Sequence, residues 1–463
     1  MAVSARSGPN PEESWSPARL IPTSGIGGQP EQERRATSAL LAVMRAVPEF
    51  GRALLAYTGA PGGRISTFTE VQLKDADGKV SIPDGAIVVE RGKTRWRCLV
   101  EVKTGGALLE AEQIGRYLDL ARLHAFQAVL TISNQIVASP TESPVSVDAR
   151  RLRRLTLWHL SWWRILTEAV LQHQHRGVSD PDQAWILGEL IAYLDHERSG
   201  AGGFEDMGEH WVAVRDAARQ GTLRASDRGV RDVAARWEQF IQYLCLGLRQ
   251  DLGREVVALL PRRSEATARM EAAVKALVQT GKLEAAIRVP DAAGPLELEA
   301  DLRSRQLTTG VEIQAPREGR PKTRVNWLLR QLREAPADLR IDVRFVAAKE
   351  TTSLLLRDVA EHPERLLSPA NPHREPRSFR LALSREMGAK RGKSPGSFVH
   401  ATRQQTLDFY RQVVQGLHPW TASPPRLPEP AMEVGQASTA APSVQTFEGE
   451  ANADREEPGV DTA

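Results

Sequence analysis

The sequence predicts an α/β core, followed by a helical region and a second, smaller α+β lobe. Three observations predict this class. Short β-prone runs alternate with apolar residues at helical spacing over residues 32–178, the middle of the chain shows helical spacing alone, and the first order of elements recurs after residue 263.

The first lobe is predicted from its β-prone runs. Residues 68–73 and 80–90 have the composition of strands, and the Asp and Gly residues of segment 75–78 favour a tight turn between them. Residues 95–103 predict a third strand and residues 126–132 a fourth. With a helix before the first strand and another between the third and fourth, the predicted order is helix, three strands, helix, strand.

Polar side chains lie at the ends of these elements. Because side chains alternate along a strand, Glu101 and Lys103 are predicted to emerge on one face. Gln113 and Tyr117 are four residues apart on the following helix and therefore share a face. Asp84 follows Pro83 just inside the second predicted strand.

Two acids and a lysine in this order suit a metal-dependent phosphodiesterase. Magnesium prefers carboxylate oxygens and commonly uses one or two of them, so Asp84 and Glu101 are predicted to bind the ion. Lys103 would orient the attacking water or stabilise developing negative charge. Gln113 and Tyr117 are predicted to place the substrate strand. Two acids that repel each other should also raise the pKa of at least one carboxyl group in the metal-free site.

The residues Pro83-Asp84 followed by Glu101-Val102-Lys103 resemble the motif of the PD-(D/E)xK nucleases, the restriction-endonuclease-like superfamily. Gln113-x-x-x-Tyr117 is similar to the QxxxY element of its exonuclease branch. The resemblance implies a mixed sheet flanked by helices, Mg²⁺ or Mn²⁺ as cofactor, and DNA as the substrate, in defence or repair. It also implies an additional upstream acid, for which Glu70 and Glu49 are the candidates.

An interpretation without function and two other hypotheses compete with this one. An Asp in a turn followed by Glu-x-Lys on a strand also arises as a solvated ion pair without function. The same core also serves as a non-catalytic DNA-binding or regulatory module. An assembly protein, with a homo-oligomer or a protein partner bound through the helical region, is the third hypothesis.

Composition excludes several classes of protein. The 463 residues contain 41% hydrophobic and 26% charged residues, as expected of a multi-domain globular chain. The net charge is only +3, although residues 421–463 carry two Arg against eight acids. Two cysteines are too few for a disulfide framework, and no apolar run is long enough to span a bilayer. A cytoplasmic location without membrane contact is predicted.

Five segments are predicted from shifts in composition. Residues 1–31 and the acidic tail 421–463 are rich in Pro, Ser, Gly or Ala and are predicted to be disordered. The nuclease-like domain covers residues 32–178, a helical domain 179–262, and the α+β lobe 263–420.

An arginine-rich segment at residues 150–154 precedes several tryptophans. We predict a strand over residues 153–160 that joins the first sheet, followed by a helix over its face. Arg and Trp together hold phosphates and stack bases in single-stranded substrates, but tryptophans at this spacing favour a core role. His173 and His175 lack the spacing of a metal pair and are predicted to lie on the surface.

The second lobe is predicted to repeat the first in degenerate form. Its Asp301 and Glu312-Ile313-Gln314 resemble a second acid and ExK element with glutamine in place of lysine. Glutamine cannot supply the ammonium charge, although Lys322 or Arg317 could approach from the next loop. The open alternatives are a degenerate nuclease-like module, an unrelated α+β domain and an active second site. Eight Lys or Arg against two Glu over residues 303–333 suit either a DNA-facing surface or a solvated helix face.

Overall fold

The structure is a computed structural model that describes residues 20–22, 27–261, 266–390 and 392–422. The predicted disordered ends therefore lie largely outside the described residues. One boundary is corrected, because the first helix begins at Gln29, within the segment predicted to be disordered. Pro30 favours this start, since proline suits the first turn of a helix.

The elements of the first half agree in order with the prediction. They are α1 (Gln29–Ala46), α2 (Pro48–Ala56), β1 (Arg64–Thr69), β2 (Leu73–Lys74), β3 (Val80–Ser81), β4 (Gly85–Arg91), β5 (Thr94–Val102), α3 (Ala111–Leu123), β6 (Ala128–Ser133), β7 (Thr156–Ser161), α4 (Trp162–Val170) and α5 (Pro181–Leu194).

Two predicted strands are each divided. The run 68–73 breaks at Glu70, which has a φ of 52° that no strand residue adopts. The run 80–90 breaks before Gly85, because Pro83 has no N–H to donate to a ladder. The predicted turn at 75–78 is confirmed, but it closes the short hairpin of β2 and β3.

The first sheet is mixed and has the order β1-β4-β5-β6-β7. Strands β1, β4 and β5 are antiparallel neighbours, whereas β5, β6 and β7 run parallel. Helices α1, α2, α4 and α5 pack their apolar side chains on one face, and α3 covers the other. The predicted sheet flanked by helices is confirmed, and α5 packs on this core although it lies beyond residue 178.

Tryptophans of the arginine-rich segment pack inside the protein. Trp162 is 1% exposed, and Trp163 lies against the ring of Tyr243 with centroids 4.7 Å apart. The strand predicted over 153–160 begins later, as β7, since Arg154 has a φ of 64°. His173 lies in an exposed π-helical turn after α4.

The second half contains α6 (Trp211–Gln220), α7 (Arg228–Leu252), β8 (Val257–Ala258), α8 (Ala266–Thr280), β9 (Lys282–Arg288), β10 (Leu296–Asp301), β11 (Gln306–Gln314), α9 (Pro321–Gln331), β12 (Arg340–Phe345), β13 (Thr351–Leu355), α10 (Leu356–Val359), β14 (Pro376–Glu386) and α11 (Phe398–Gln412). Helices α6 and α7 share one apolar core with the second sheet, so the helical region does not form a core of its own. Among the described residues, no helix combines the length and the apolar character needed to cross a bilayer.

The second sheet has seven strands in the order β13-β12-β14-β11-β10-β9-β8, and each neighbouring pair is antiparallel. The series α8, β9, β10, β11, α9, β12 keeps the element order of the first lobe. The strand orders differ within the sheet, because β14 lies between β11 and β12, whereas β5 and β6 are direct neighbours. The second lobe therefore repeats the order of the elements without repeating the pairing.

Candidate active site

The register of β4 and β5 brings two acids together at one end of the sheet. Gly85 pairs with Val100, so Asp84 lies one step further along, opposite Glu101. The Asp84 carboxylate accepts a hydrogen bond of 2.7 Å from the Val102 N–H and lies within hydrogen-bonding range of the Glu101 carboxyl group. Strand pairing thus places side chains that are 17 positions apart in contact with one another.

Lys103 completes this group one residue after β5 ends. Its Nζ donates a hydrogen bond of 2.8 Å to Glu101 Oε1, as the alternation of side chains predicts. Its backbone is fixed on two sides, because its N–H donates to the Ile132 carbonyl at 2.8 Å and its carbonyl accepts from Trp162 Nε1 at 2.9 Å. The backbone that carries the amine is therefore fixed by hydrogen bonds to β6 and α4.

Burial and neighbouring charges shift the pKa values of Glu101 and Lys103. Burial first, and then the charge of Asp84, raise the pKa of Glu101 to about 8, although Lys103 opposes the shift. Burial alone would lower the pKa of Lys103, but Glu101, Glu33 and Asp84 together raise it. The shift at Glu101 agrees with the expectation for two acids that repel each other in a metal-free site.

Helix α3 brings Gln113 and Tyr117 to the same site. Gln113 Nε2 donates a hydrogen bond of 3.3 Å to Tyr117 Oη, which confirms that the two side chains share a face. Burial raises the pKa of the Tyr117 hydroxyl, and the negative charge of Glu101 raises it further. The pair therefore lies near the carboxylates, on the side of the sheet that α3 covers.

One acid at the site was missed in the sequence. Glu33 on α1 lies with Oε2 3.7 Å from Lys103 Nζ, and its side chain is 18% exposed. It precedes the buried positions Ala36 and Thr37 by three and four residues, so helical spacing places it on the same side of α1 as these residues.

The predicted candidates for an upstream acid lie elsewhere. Glu70 donates its backbone N–H to the Asp84 carbonyl at 3.0 Å, but its side chain is exposed. The Glu49 carboxylate accepts from the Ser179 N–H at 3.4 Å. Of the three acids, Glu33 is the one whose carboxylate forms an ion pair with the lysine of the site.

A buried polar row continues from Glu101 across the sheet. Glu101 pairs with Thr131, which in turn pairs with His159 on β7, and both of these neighbours are fully buried. Burial lowers the pKa of His159 to about 4, so the ring is neutral. Its Nε2–H then donates to the Gln135 carbonyl at 2.8 Å, and its Nδ1 lies 3.0 Å from the Thr131 hydroxyl, which donates to the Trp158 carbonyl. His159 therefore has a structural role that the sequence did not indicate.

The predicted second site in the other lobe is wrong, because its residues do not lie together. Asp301 pairs with Gln306 at one end of β10, whereas Glu312 lies one step beyond the Leu296–Val311 pair at the other end. The position that corresponds in register to Asp84 is Pro295, which has no carboxylate.

The other residues of that predicted site either form different contacts or lack the required charge. The Glu312 carboxylate is bound by Arg344 at 2.9 Å and by the Ser378 hydroxyl at 2.6 Å. Gln314 occupies the position of the lysine and carries no charge, and Lys322 pairs instead with Glu364 at 3.4 Å. In the described part of the second lobe, Pro295 and Gln314 thus occupy the positions of Asp84 and Lys103, and Glu312 pairs with an arginine instead.

The donor set of the first site fits magnesium. Two carboxylates, at Asp84 and Glu101, are the number that Mg²⁺ commonly takes from a protein, with water completing its shell. Within residues 27–261, 266–390 and 392–422, no three His, Cys, Asp or Glu side chains form a ready-made metal cage.

Comparison with known proteins finds no family for this chain. No protein-family model matches the chain, and no curated protein matches it.

Loss of the Trp162 hydrogen bond should perturb the site through the Lys103 backbone. We expect Trp162→Phe to lower the free energy of unfolding by about 1–3 kcal/mol, because the Lys103 carbonyl loses its donor in a buried setting. Urea unfolding followed by circular dichroism measures this. Trp163→Phe is the matched control, since that indole donates to the Tyr243 carbonyl. An unchanged free energy of unfolding in Trp162→Phe would contradict this stabilising role of the Trp162–Lys103 hydrogen bond.

Proposed function

We propose that this protein is a magnesium-dependent nuclease that hydrolyses phosphodiester bonds in DNA on a restriction-endonuclease-like core. The observation that carries the proposal is the contact of Asp84, Glu101 and Lys103 at the paired ends of β4 and β5. The mixed sheet with helices on both faces supports it, since this is the architecture that the sequence resemblance implies.

Each side chain has a distinct chemical task in this proposal. Asp84 and Glu101 would hold the magnesium ion, which supplies a bound water of lowered pKa and neutralises charge on the phosphate. Lys103 carries a positive charge within 2.8 Å of Glu101, so it would orient the attacking water or stabilise negative charge that develops on the phosphate.

The face of α3 would position the DNA strand. Tyr117 and Gln113 present a hydroxyl and an amide beside the acid pair. Hydroxyl and amide groups are common donors of hydrogen bonds to the phosphate oxygens of DNA. Such contacts fix the register of the backbone and carry no base information. The site therefore supports cleavage without indicating a recognition sequence.

Magnesium-dependent degradation of defined DNA tests the proposal. Linear and circular double-stranded DNA and single-stranded DNA are incubated with the purified protein in Mg²⁺, in Mn²⁺ and in EDTA. We expect cleavage with either metal, none in EDTA and none by Asp84→Asn. Asp77→Asn, in the exposed turn between β2 and β3, is the matched control and should cut normally. Metal-independent binding without cleavage would favour the non-catalytic DNA-binding alternative.

The upstream acid of the site can be identified by comparing three variants. We expect Glu33→Gln to reduce cleavage about 10- to 100-fold, because its carboxylate neighbours Lys103 and so helps to orient the site. Glu70→Gln and Glu49→Gln should leave the rate unchanged. The measurement is the initial cleavage rate over a range of Mg²⁺ concentrations. A larger loss in Glu70→Gln than in Glu33→Gln would reverse this assignment.

A further inference from the structure

A second polar site lies between the first core and the long helix α7, away from the acid pair. It is a cavity of about 210 Å³ bounded by α4, α7, the loop after β6 and the edge strand β8. At roughly 30 Å³ per water molecule, this volume corresponds to about seven waters. The cavity is therefore large enough for a small ion with part of its hydration shell.

Two guanidinium groups line this cavity. Arg249 is 5% exposed, donates to Tyr57 Oη at 3.1 Å and to Glu255 at 2.9 Å, and has an Nε–H without a hydrogen-bond partner in the described structure. The guanidinium of Arg164 lies over the Tyr57 ring, 5.4 Å from its centroid. Among the described residues, no carboxylate lies within ion-pair distance of Arg164.

Of the two arginines, Arg249 forms an ion pair with Glu255 on the cavity wall at 2.9 Å, whereas Arg164 has no such partner among the described residues. Glu168 is buried, but its carboxylate is already bound by Tyr57 Oη at 2.9 Å and by Arg176. Burial lowers the pKa of Arg164, and the charge of Arg249 is one of the groups that lower it further. The partly buried Arg164 therefore contributes one uncompensated positive charge, and the buried Arg249 has one unpaired N–H donor, beside an open volume.

We propose that this cavity binds a phosphate group, held between Arg164 and Arg249. A guanidinium presents several N–H donors in a plane, which matches the oxygens of phosphate, and charge-assisted hydrogen bonds of this kind are the strong ones. Ser139 and Gln242 on the cavity wall offer further polar groups. Because the walls come from the first core, from α7 and from the edge of the second sheet, a bound phosphate joins the two lobes of the chain.

Isothermal titration with inorganic phosphate at constant ionic strength, without magnesium, tests this site. We expect saturable one-site binding and a rise in the melting temperature, since a ligand that binds only the folded state stabilises it. Arg164→Gln should raise the Kd at least tenfold. Arg45→Gln, on the exposed face of α1, is the matched control and should bind as the wild type does.

Two further variants keep the test independent of folding and of the nuclease site. Ser139→Phe fills the cavity while both arginines remain, and it should abolish binding. Lys103→Ala should bind phosphate normally, because the cavity does not include the acid pair. A 5′-phosphorylated trinucleotide, compared with its unphosphorylated form, distinguishes a strand end from a free anion as the source. No saturable binding of either probe, or an unchanged Kd in both Arg164→Gln and Ser139→Phe, would overturn the proposal.

Discussion

Lys103→Ala should reduce the rate of DNA cleavage on the order of 10³-fold while leaving the protein folded. The lysine is the one cation that hydrogen-bonds Glu101 in the described structure, and removal of a single charge-stabilising donor from an active site costs a factor of about 10²–10³. The fold should persist because Glu101 can take up a proton once its partner is gone, and its pKa is already raised to about 8.

Single-turnover cleavage rates at saturating Mg²⁺ measure this effect, and far-ultraviolet circular dichroism checks the fold. Lys74→Ala is the matched control, because Lys74 lies on the short strand β2 with an exposed side chain. Lys103→Arg keeps the charge but changes the geometry of the donor, so it should retain only part of the rate. If Lys103→Ala cuts at the original rate, the catalytic assignment of the whole acid and lysine group fails.

Glu101→Gln should abolish cleavage and, without metal, stabilise the protein at alkaline pH. A carboxyl group whose pKa is raised on folding binds more protons in the folded state than in the unfolded state. Stability therefore falls as the pH rises from the ordinary value of 4.5 towards about 8. Glutamine has no proton to lose, so above pH 8 the variant should be more stable by on the order of 3 kcal/mol.

Urea unfolding at pH 5 and at pH 8.5, in EDTA and in Mg²⁺, separates the effect of the Glu101 charge from the effect of magnesium binding. At pH 5 the wild type and the variant should differ little, and at pH 8.5 in EDTA the variant should be the more stable. Mg²⁺ should stabilise the wild type at pH 8.5 but not Glu101→Gln, since only the wild type offers both carboxylates. Glu90→Gln, on the exposed end of β4, is the matched control. A pH dependence that is the same in wild type and variant would contradict the assigned pKa of Glu101.

Much of the first lobe could be predicted because its determinants are local. Alternation along β5 fixes Glu101 and Lys103 on one face, and helical spacing fixes Gln113 and Tyr117 on another. Glu33 escaped prediction because its helix lies far from the strands along the chain. Only the packing of α1 against the sheet brings its carboxylate to Lys103.

In the second lobe, the alternation of acids and apolar residues did not predict correctly which side chains lie together. Asp301 follows the same alternation of acids and apolar residues as a site acid would, yet strand pairing places it at the wrong end of β10. Strand β14 comes from much later in the chain and enters between β11 and β12. No local periodicity specifies which of several strands becomes a neighbour, because pairing depends on long-range backbone hydrogen bonds.

By itself, the sequence determined the order of helices and strands in the first core and the candidate group of two acids, one lysine and the polar face of α3. Those features follow from side-chain alternation and helical spacing, which act over a few residues. The tertiary structure decided the register that joins Asp84 to Glu101, the approach of Glu33 and the separation of Asp301 from Glu312. It also decided that Arg164 and Arg249, 85 positions apart in the chain, line one cavity, because this depends on α7 packing against the first core.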